Sequence, residues 1–456
     1  MSDRVIETIA QRLADTEKNG AVHADVFMQA GTAHSAHYED GRIEELASSN
    51  TDGSGARIII GDRTFYSHSP GTSSSALSLI LSEAETSAFG TKHPPFENLS
   101  GPILTMEENI LPPDIGYMKE LDLKIRKDSK YVRQAAFRYN ISKRKVLIIR
   151  SDGRCAEDSR TYCSFSVMVI VEKDGLLQTA SERRSMAVPQ KNFWSGSAPE
   201  EVAFAALKRA LLMLDAKPCP AGRMKVLLAG EAGGTVIHEA CGHGLEADIV
   251  EKDHSIYRGK IGEKVAHESV TMIDDPTIPC LYGSYMFDDE GTPARRNILI
   301  ENGILRSYLT DILTSKTSGL PLTGNGRRQS YRNIPVPRMS NTLVAPGGSD
   351  FDSMLAMTER GLLVKKMGGG EVNPTTGDFV FYVSEAYIIK KGRISHPVKG
   401  AILTGNGPAV LENITALGSD LCMDPGVCGK SGQSVPVTDG QPSMLIEGMT
   451  VGGSEA

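Results

Sequence analysis

Long hydrophobic runs are missing from this chain of 456 residues. None approaches the roughly 18 apolar residues that a membrane-spanning helix needs, so no membrane partner is expected. The opening stretch, MSDRVIETIAQRLADTEKNG, is charged and helix-like and lacks the apolar centre of a secretion signal, which makes a cytoplasmic location the expectation. Cysteine is sparse as well. Seven thiols, an odd number scattered from Cys155 to Cys428, make no disulfide framework in a chain this long. Dense basic runs are absent, and a net charge of −7 argues against nucleic acid as a main ligand. What remains is the composition of a soluble protein, with 40% hydrophobic and 23% charged residues, too long for one ordinary core.

The order of elements suggests an α+β protein of two domains. Ser2 to Lys18 carries Val5, Ile6, Ile9 and Leu13 at helical spacing. Short alternating runs then follow, separated by Asp-Gly and Gly-Asp turn signals, and read as an antiparallel meander before the helical stretch SALSLILSEAETSAF. Beyond a proline-rich connection, TKHPPFENLSGPIL, the same order returns. A helix is expected over Asp114 to Arg138, strands over RKVLIIRSDG, YCSFSVMVIVEKDG and LLQTASERRSMA, and a helix over Ala198 to Leu214. DAKPCPAGRMK, with its prolines and charges, places a boundary near Lys217. Residues 1–217 thus form an N-terminal layered domain with two helix-strand-helix sets, and 218–456 a β-rich domain with one marked helix.

That helix carries EAGGTVIHEACGHGLEAD, a His-Glu-x-x-x-His pattern. In the shorter His-Glu-x-x-His motif the histidines stand four apart and share a helix face that can hold one metal. Here His238 and His243 stand five apart, and on a regular helix five residues turn by roughly 140°, which separates the rings. Both reach one metal if the helix widens in π fashion or ends at Gly242. Glu239, beside a ligand histidine, could then take a proton from metal-activated water, the chemistry of peptide or amide hydrolysis. A catalytic zinc wants three protein ligands. Nearby candidates for the third are Cys241, Glu246, Asp248 and His254, and distant ones are His267, His396, Cys422 and Cys428. Cys428 stands out because DPGVCGKSGQ reads as a turn-rich polar segment, ill suited to burying a structural thiol.

Several long stretches in one order resemble the TldD/PmbA family, proteins linked to peptide maturation and formerly labelled modulators of DNA gyrase, in the branch that retains the metal motif. The resemblance is carried by HEACGHGLEAD, MFDDEGTPARRNILIENGILRSYLTD, TGNGRRQSYRNIPVPRMSNTLVAPG, GGGEVNPTTGDFVFYVSEAYIIKKGRISHPVKGAILTGNGP and DPGVCGKSGQSVPV. It covers essentially the whole C-terminal half and is weaker before it. It implies a zinc peptidase with His238, His243 and Cys428 as ligands and Glu239 as base, acting on short or unfolded peptides inside a closed dimer cavity. The partner chain it implies is a second copy or a metal-less paralogue. A non-catalytic regulatory partner of a peptidase complex is the alternative, since one family branch lacks the metal motif, and a zinc amidase for small molecules is a third reading. Within the resemblance, Arg327, Arg328, Tyr331 and Arg332 of TGNGRRQSYRN are candidates for holding a peptide's carbonyls or carboxylate, and VNPTTGDFVF for an edge strand that pairs with an extended peptide.

Overall fold

The computed structural model describes residues 3–90, 103–106 and 110–453. The proline-rich connection over 91–104 lies almost wholly outside the described residues. In the N-terminal half, α1 (Asp3–Lys18), β1 (His23–Glu39), β2 (Arg42–Asn50), β3 (Gly53–Ile60), β4 (Arg63–Pro70) and α2 (Ser74–Phe89) make the first set. The second consists of α3 (Ile115–Asp128), β5 (Val132–Arg150), β6 (Cys155–Lys173), β7 (Leu176–Ala187) and α4 (Pro199–Leu214). The expected helix to Arg138 stops ten residues early, at Asp128. From Val132 onward Phe137, Tyr139 and Ile141 alternate with outward residues, and pairing with β1 and β6 on both sides outweighs local helix preference.

The two sets merge into one antiparallel seven-stranded sheet of order β4-β3-β1-β5-β6-β7, with β2 pairing β1. They join where β1 runs along β5 from Asp25 opposite Arg150 to Glu39 opposite Ala136. One face is covered by helices. Val26, Met28, Leu147 and Ile149 meet α1 and α2. Tyr38, Phe137, Phe165, Val167 and Val169 meet α3 and α4. Each such fully buried side chain contributes about 1.5–3 kcal/mol of transfer free energy. Because side chains alternate along a strand, the intervening residues, Phe27, Ile148, Ser164 and Ser166 among them, face the other way, toward the C-terminal half.

That half contains two large sheets and a two-stranded pair, Gly326–Arg327 with Val336–Pro337. Strands Arg360–Val372, Gly222–Leu228, Met444–Gly452, Ile402–Asn406 and Asp378–Lys390 pair in a closed circuit, since Arg360–Val372 bonds both its neighbours in the series. A six-stranded sheet ends in Asn341–Val344, Gln433–Gln441 and Cys422–Lys430. The chain around the two motif histidines lies between these sheets, with Val236, Ile237, Ala240 and Leu245 in the same core as Val364, Phe381, Val435 and Val437. Two sequence expectations change here. DPGVCGK is the outer strand of the six-stranded sheet and not a turn. Asp378–Lys390, expected as an edge, is paired on both sides, by Arg360–Val372 on one and by Arg393–Lys399 and Ile402–Asn406 on the other.

Candidate metal centre

Gly230 to Leu245 is broken into short turns, and His238–Gly242 among them is a π turn in which the His243 N–H bonds the His238 carbonyl, five residues back. This widening brings both rings to one side, their centroids 5.0 Å apart. Gly242 keeps ordinary right-handed helical angles, so its glycine serves packing and not backbone freedom: a Cβ there would collide with the sulfur of buried Met339.

The third group arrives by a hairpin. Cys422–Lys430 and Gln433–Gln441 are joined by Ser431 and Gly432, both at positive φ, a two-residue turn that suits the right-handed strand twist. Alternation along the strand leaves Val427 exposed and turns Cys428 inward. The donor atoms of His238, His243 and Cys428 lie within 4.8 Å of one another, all buried, and among the described residues this is the group of three that converges as a metal requires. Cys428 Sγ is 3.5 Å from His243 Nε2.

Neither histidine is free to rotate. His238 Nδ1 is 2.7 Å from Asp439 Oδ1, and His243 Nδ1 is 2.9 Å from Glu246 Oε2, which leaves Nε2 of each ring as its free nitrogen. Glu246, weighed as a ligand, is instead consumed in this support: it also accepts from Lys430 Nζ at 3.0 Å and from the Met339 N–H at 3.3 Å. Lys430 further bonds Asp248 at 2.5 Å and the Pro337 carbonyl at 2.9 Å. The Arg338 guanidinium donates to the Cys428 carbonyl at 2.6 Å and so anchors the backbone of the cysteine. Asp439, Lys430 and Arg338 carried no local signal in the sequence, because their roles arise only when the hairpin docks on the helix.

The electrostatics agree with the distances. Burial disfavours charge on the Cys428 sulfur, but hydrogen bonds from His238 and His243 outweigh it and bring the thiol down to about 5. Burial likewise opposes charge on His243, but Glu246 and Cys428 lift it to about 10. His238 rises well above its usual range because Asp439 and Cys428 overcome the same burial. Thiolate and carboxylates together form a negative pocket that calls for a cation at the imidazoles. Glu239 differs from every group around it. Its carboxylate is partly exposed, 3.9 Å from His243 Nε2, and burial raises its pKa despite the two histidines.

The other candidates are elsewhere. His267 bonds Ser269, His396 bonds Ser395, and Cys241 is buried beside Tyr257. Arg327 and Arg328 are buried and already engaged. Arg327 donates to the carbonyls of Met339 and Pro436, while Arg328 donates to Asp289 and Tyr66 and packs over Phe27 of the N-terminal sheet. Tyr331 packs into that same seam and Arg332 alone of the four is exposed. The polarity of TGNGRRQSYRN reflects contacts between the halves of the molecule.

Family models described as PmbA/TldA metallopeptidase domain 1, central domain and C-terminal domain match residues 24–88, 108–214 and 221–453. The chain is 36% identical to a metalloprotease TldD homolog of Haemophilus influenzae, over 95% of this chain and 93% of that one. It is 33% identical to a metalloprotease of Methanocaldococcus jannaschii, over 92% and 94%. Among solved structures, TldE from Thermococcus kodakarensis superposes with a TM-score of 0.74 at 17% identity, covering 97% of this chain and 99% of that one, a likeness of fold. By its domain matches and its full-length relatives, the chain belongs to the TldD/PmbA family of metallopeptidases.

Proposed function

We propose that the protein is a zinc-dependent peptidase that hydrolyses short or unfolded peptides, with His238, His243 and Cys428 holding the metal and Glu239 as general base. The supporting observation is the donor geometry. Tetrahedral zinc with bonds of about 2.1 Å to nitrogen and about 2.3 Å to sulfur separates those two atoms by roughly 3.5 Å. The Cys428 to His243 distance is 3.5 Å. A relative from Saccharolobus solfataricus, 34% identical over 54% of this chain, carries the name zinc metalloprotease TldD homolog.

When bound, zinc supplies Lewis acidity toward water and the scissile carbonyl. The chain's own residues do the rest. Asp439 and Glu246 hold the imidazoles in the tautomer that presents Nε2, and Lys430 keeps Glu246 in place. Glu239 accepts the proton of the attacking water and passes it to the leaving amine, work that suits a carboxylate whose pKa burial has raised. An extended peptide has a backbone to lie against. Beyond Val364, strand Arg360–Val372 pairs with Asp378–Lys390 on one side only, and Gly368 to Gly370 permit close approach. Enclosure between two chains, as a homodimer or with a metal-less paralogue, is part of the proposal. Val380 and Tyr382, exposed and two apart on one strand face, are apolar surface for a partner to cover.

Elemental analysis of untreated protein, combined with peptide hydrolysis before and after a chelator, tests this. One zinc per chain and chelator-sensitive cleavage are expected. Bound metal without cleavage of any peptide would move the chain to the non-catalytic reading, and absence of metal would remove the site.

A further inference from the structure

The face of the N-terminal sheet turned away from α3 and α4 carries a row of residues that the metal chemistry does not use. Arg138 on β5 lies opposite Ser166 on β6, and Ser166 lies opposite Arg183 on β7. Residues directly opposite share a face, so a serine hydroxyl stands between two guanidinium-bearing side chains whose backbones are about 10 Å apart, two strand spacings. Their neighbours Ser164 and Ser181 are small. The row lines a cleft of about 600 Å³ whose far wall includes Gly368 and Gly369 on the half-paired strand.

The charges in this cleft do not cancel. Its two carboxylates are taken: Glu182 pairs with Arg209 at 2.8 Å and Lys366 at 3.4 Å, and Asp424 pairs with Lys366 at 3.2 Å. Arg138 and Arg183 are exposed, and among the described residues neither guanidinium has a carboxylate within ion-pair distance. The cleft also abuts the metal centre. Thr235 on its wall is three residues before His238, and Asp424 is paired across the hairpin with Asp439, which holds His238.

We infer that Arg138, Ser166 and Arg183 form a carboxylate-binding subsite that selects acidic peptides. The inference rests on the peptidase reading for its substrate. Two arginines and a hydroxyl on one wall of the cleft supply donors for a planar carboxylate, and the glycines of the opposite wall admit a main chain. The carboxylate can be an aspartate or glutamate side chain or the peptide's own C-terminus.

The test uses full-length protein with its metal, in a Glu239→Gln background so that peptides survive. Labelled hexapeptides of one sequence are compared by fluorescence anisotropy: two central glutamates against two glutamines, each with a free or an amidated C-terminus. The glutamate peptide should bind about tenfold tighter than its glutamine counterpart, an advantage that shrinks with salt. The Arg138→Gln, Arg183→Gln double variant should erase that advantage while the amidated glutamine peptide keeps its affinity, and Arg138→Lys with Arg183→Lys should restore part of it. A preference that follows the free C-terminus instead of the side chains assigns the subsite to the terminal carboxylate. Equal binding of all four peptides, or a preference that survives the double variant, overturns the inference. Hydrolysis of the amidated glutamine peptide by the unaltered protein is measured in parallel. If it fails while the charge preference holds, the peptidase reading falls and the carboxylate site stands.

Discussion

Two of the molecule's buried polar networks are built on opposite rules. At the seam between the halves, Asp25 accepts from Arg57 at 2.7 Å and from His23 at 3.1 Å, Arg57 also pairs with Glu290 at 2.7 Å, and Asp289 faces Arg160 at 2.9 Å and Arg144 at 3.3 Å. Each of these three carboxylates meets a guanidinium of the N-terminal sheet. At the candidate metal centre, by contrast, Nε2 of two histidines and a thiolate face each other, and their cationic neighbours, Lys430 and Arg338, bond to supporting groups and not to the donor atoms. Charge that is paired throughout belongs to structure. Two imidazole nitrogens and a thiolate that converge with no lysine or arginine between them mark a place for a metal ion to replace the imidazole protons.

The sharpest way to break this comparison is to remove the one carboxylate of the centre that supports nothing. Glu239→Gln should retain metal by elemental analysis and lose peptide hydrolysis by on the order of 10²–10⁴. If cleavage continues near the original rate, Glu239 is not the base. Cys428→Ala should instead lose most of the metal, whereas Cys422→Ala should lose none, and the same analysis separates them.

The seam should answer in stability and not in metal content. Arg57→Met takes the guanidinium away from buried Glu290 and from Asp25, a change that costs about 3–5 kcal/mol. Chemical denaturation followed by circular dichroism checks it, and an unchanged midpoint would show that the seam is not a paired network.

A smaller effect is expected where the two kinds of network touch. Asp439→Asn keeps a hydrogen-bonding group at His238 but removes the charge that orients the ring. Metal affinity should fall by about 10 to 100-fold in competition with a chromophoric chelator, while stability of the metal-free protein moves little.

The weakest effect is a pH dependence within the seam. Burial and the nearby Glu290 raise Asp311 from 3.8 to about 7, against the hydrogen bonds from Thr314. The folded chain therefore keeps a proton that the unfolded chain has already released, so this group's contribution to stability is present below about 4 and is lost as the pH rises toward 7. Asp311→Asn should flatten the stability profile across that window and leave the helix cap on Thr314 in place. A profile as steep as before would remove Asp311 as its source.

Much of the architecture was legible locally. Turn signals and period-two alternation delimited the strands from His23 to Pro70, and the repeated helix-strand-helix order is present as α1 to α2 and α3 to α4. For His238 and His243 to reach one metal, their five-residue spacing required a helix that widens or ends at Gly242, and a π turn stands there. Helix α3 was overextended because RKDSKYVRQAAFR contains good helix formers, and only the neighbouring strands β1 and β6 turn its second half into sheet.

What the sequence determined by itself is therefore whatever depends on neighbours along the chain: element type, hairpin turns, and the placing of Glu239 inside a His-Glu-x-x-x-His motif. What only the tertiary structure decided is whatever depends on groups far apart in the chain meeting in space. Cys428 crosses 185 residues to reach His243, Asp439 crosses 201 to hold His238, and Arg328 enters a seam with Phe27 and Asp25 that makes an apparently solvated basic loop the inside of the protein. Local polarity records that a residue needs hydrogen-bond partners. It does not say whether water or a distant strand will supply them, and that choice is made by the packing of two sheets against one short, widened helix.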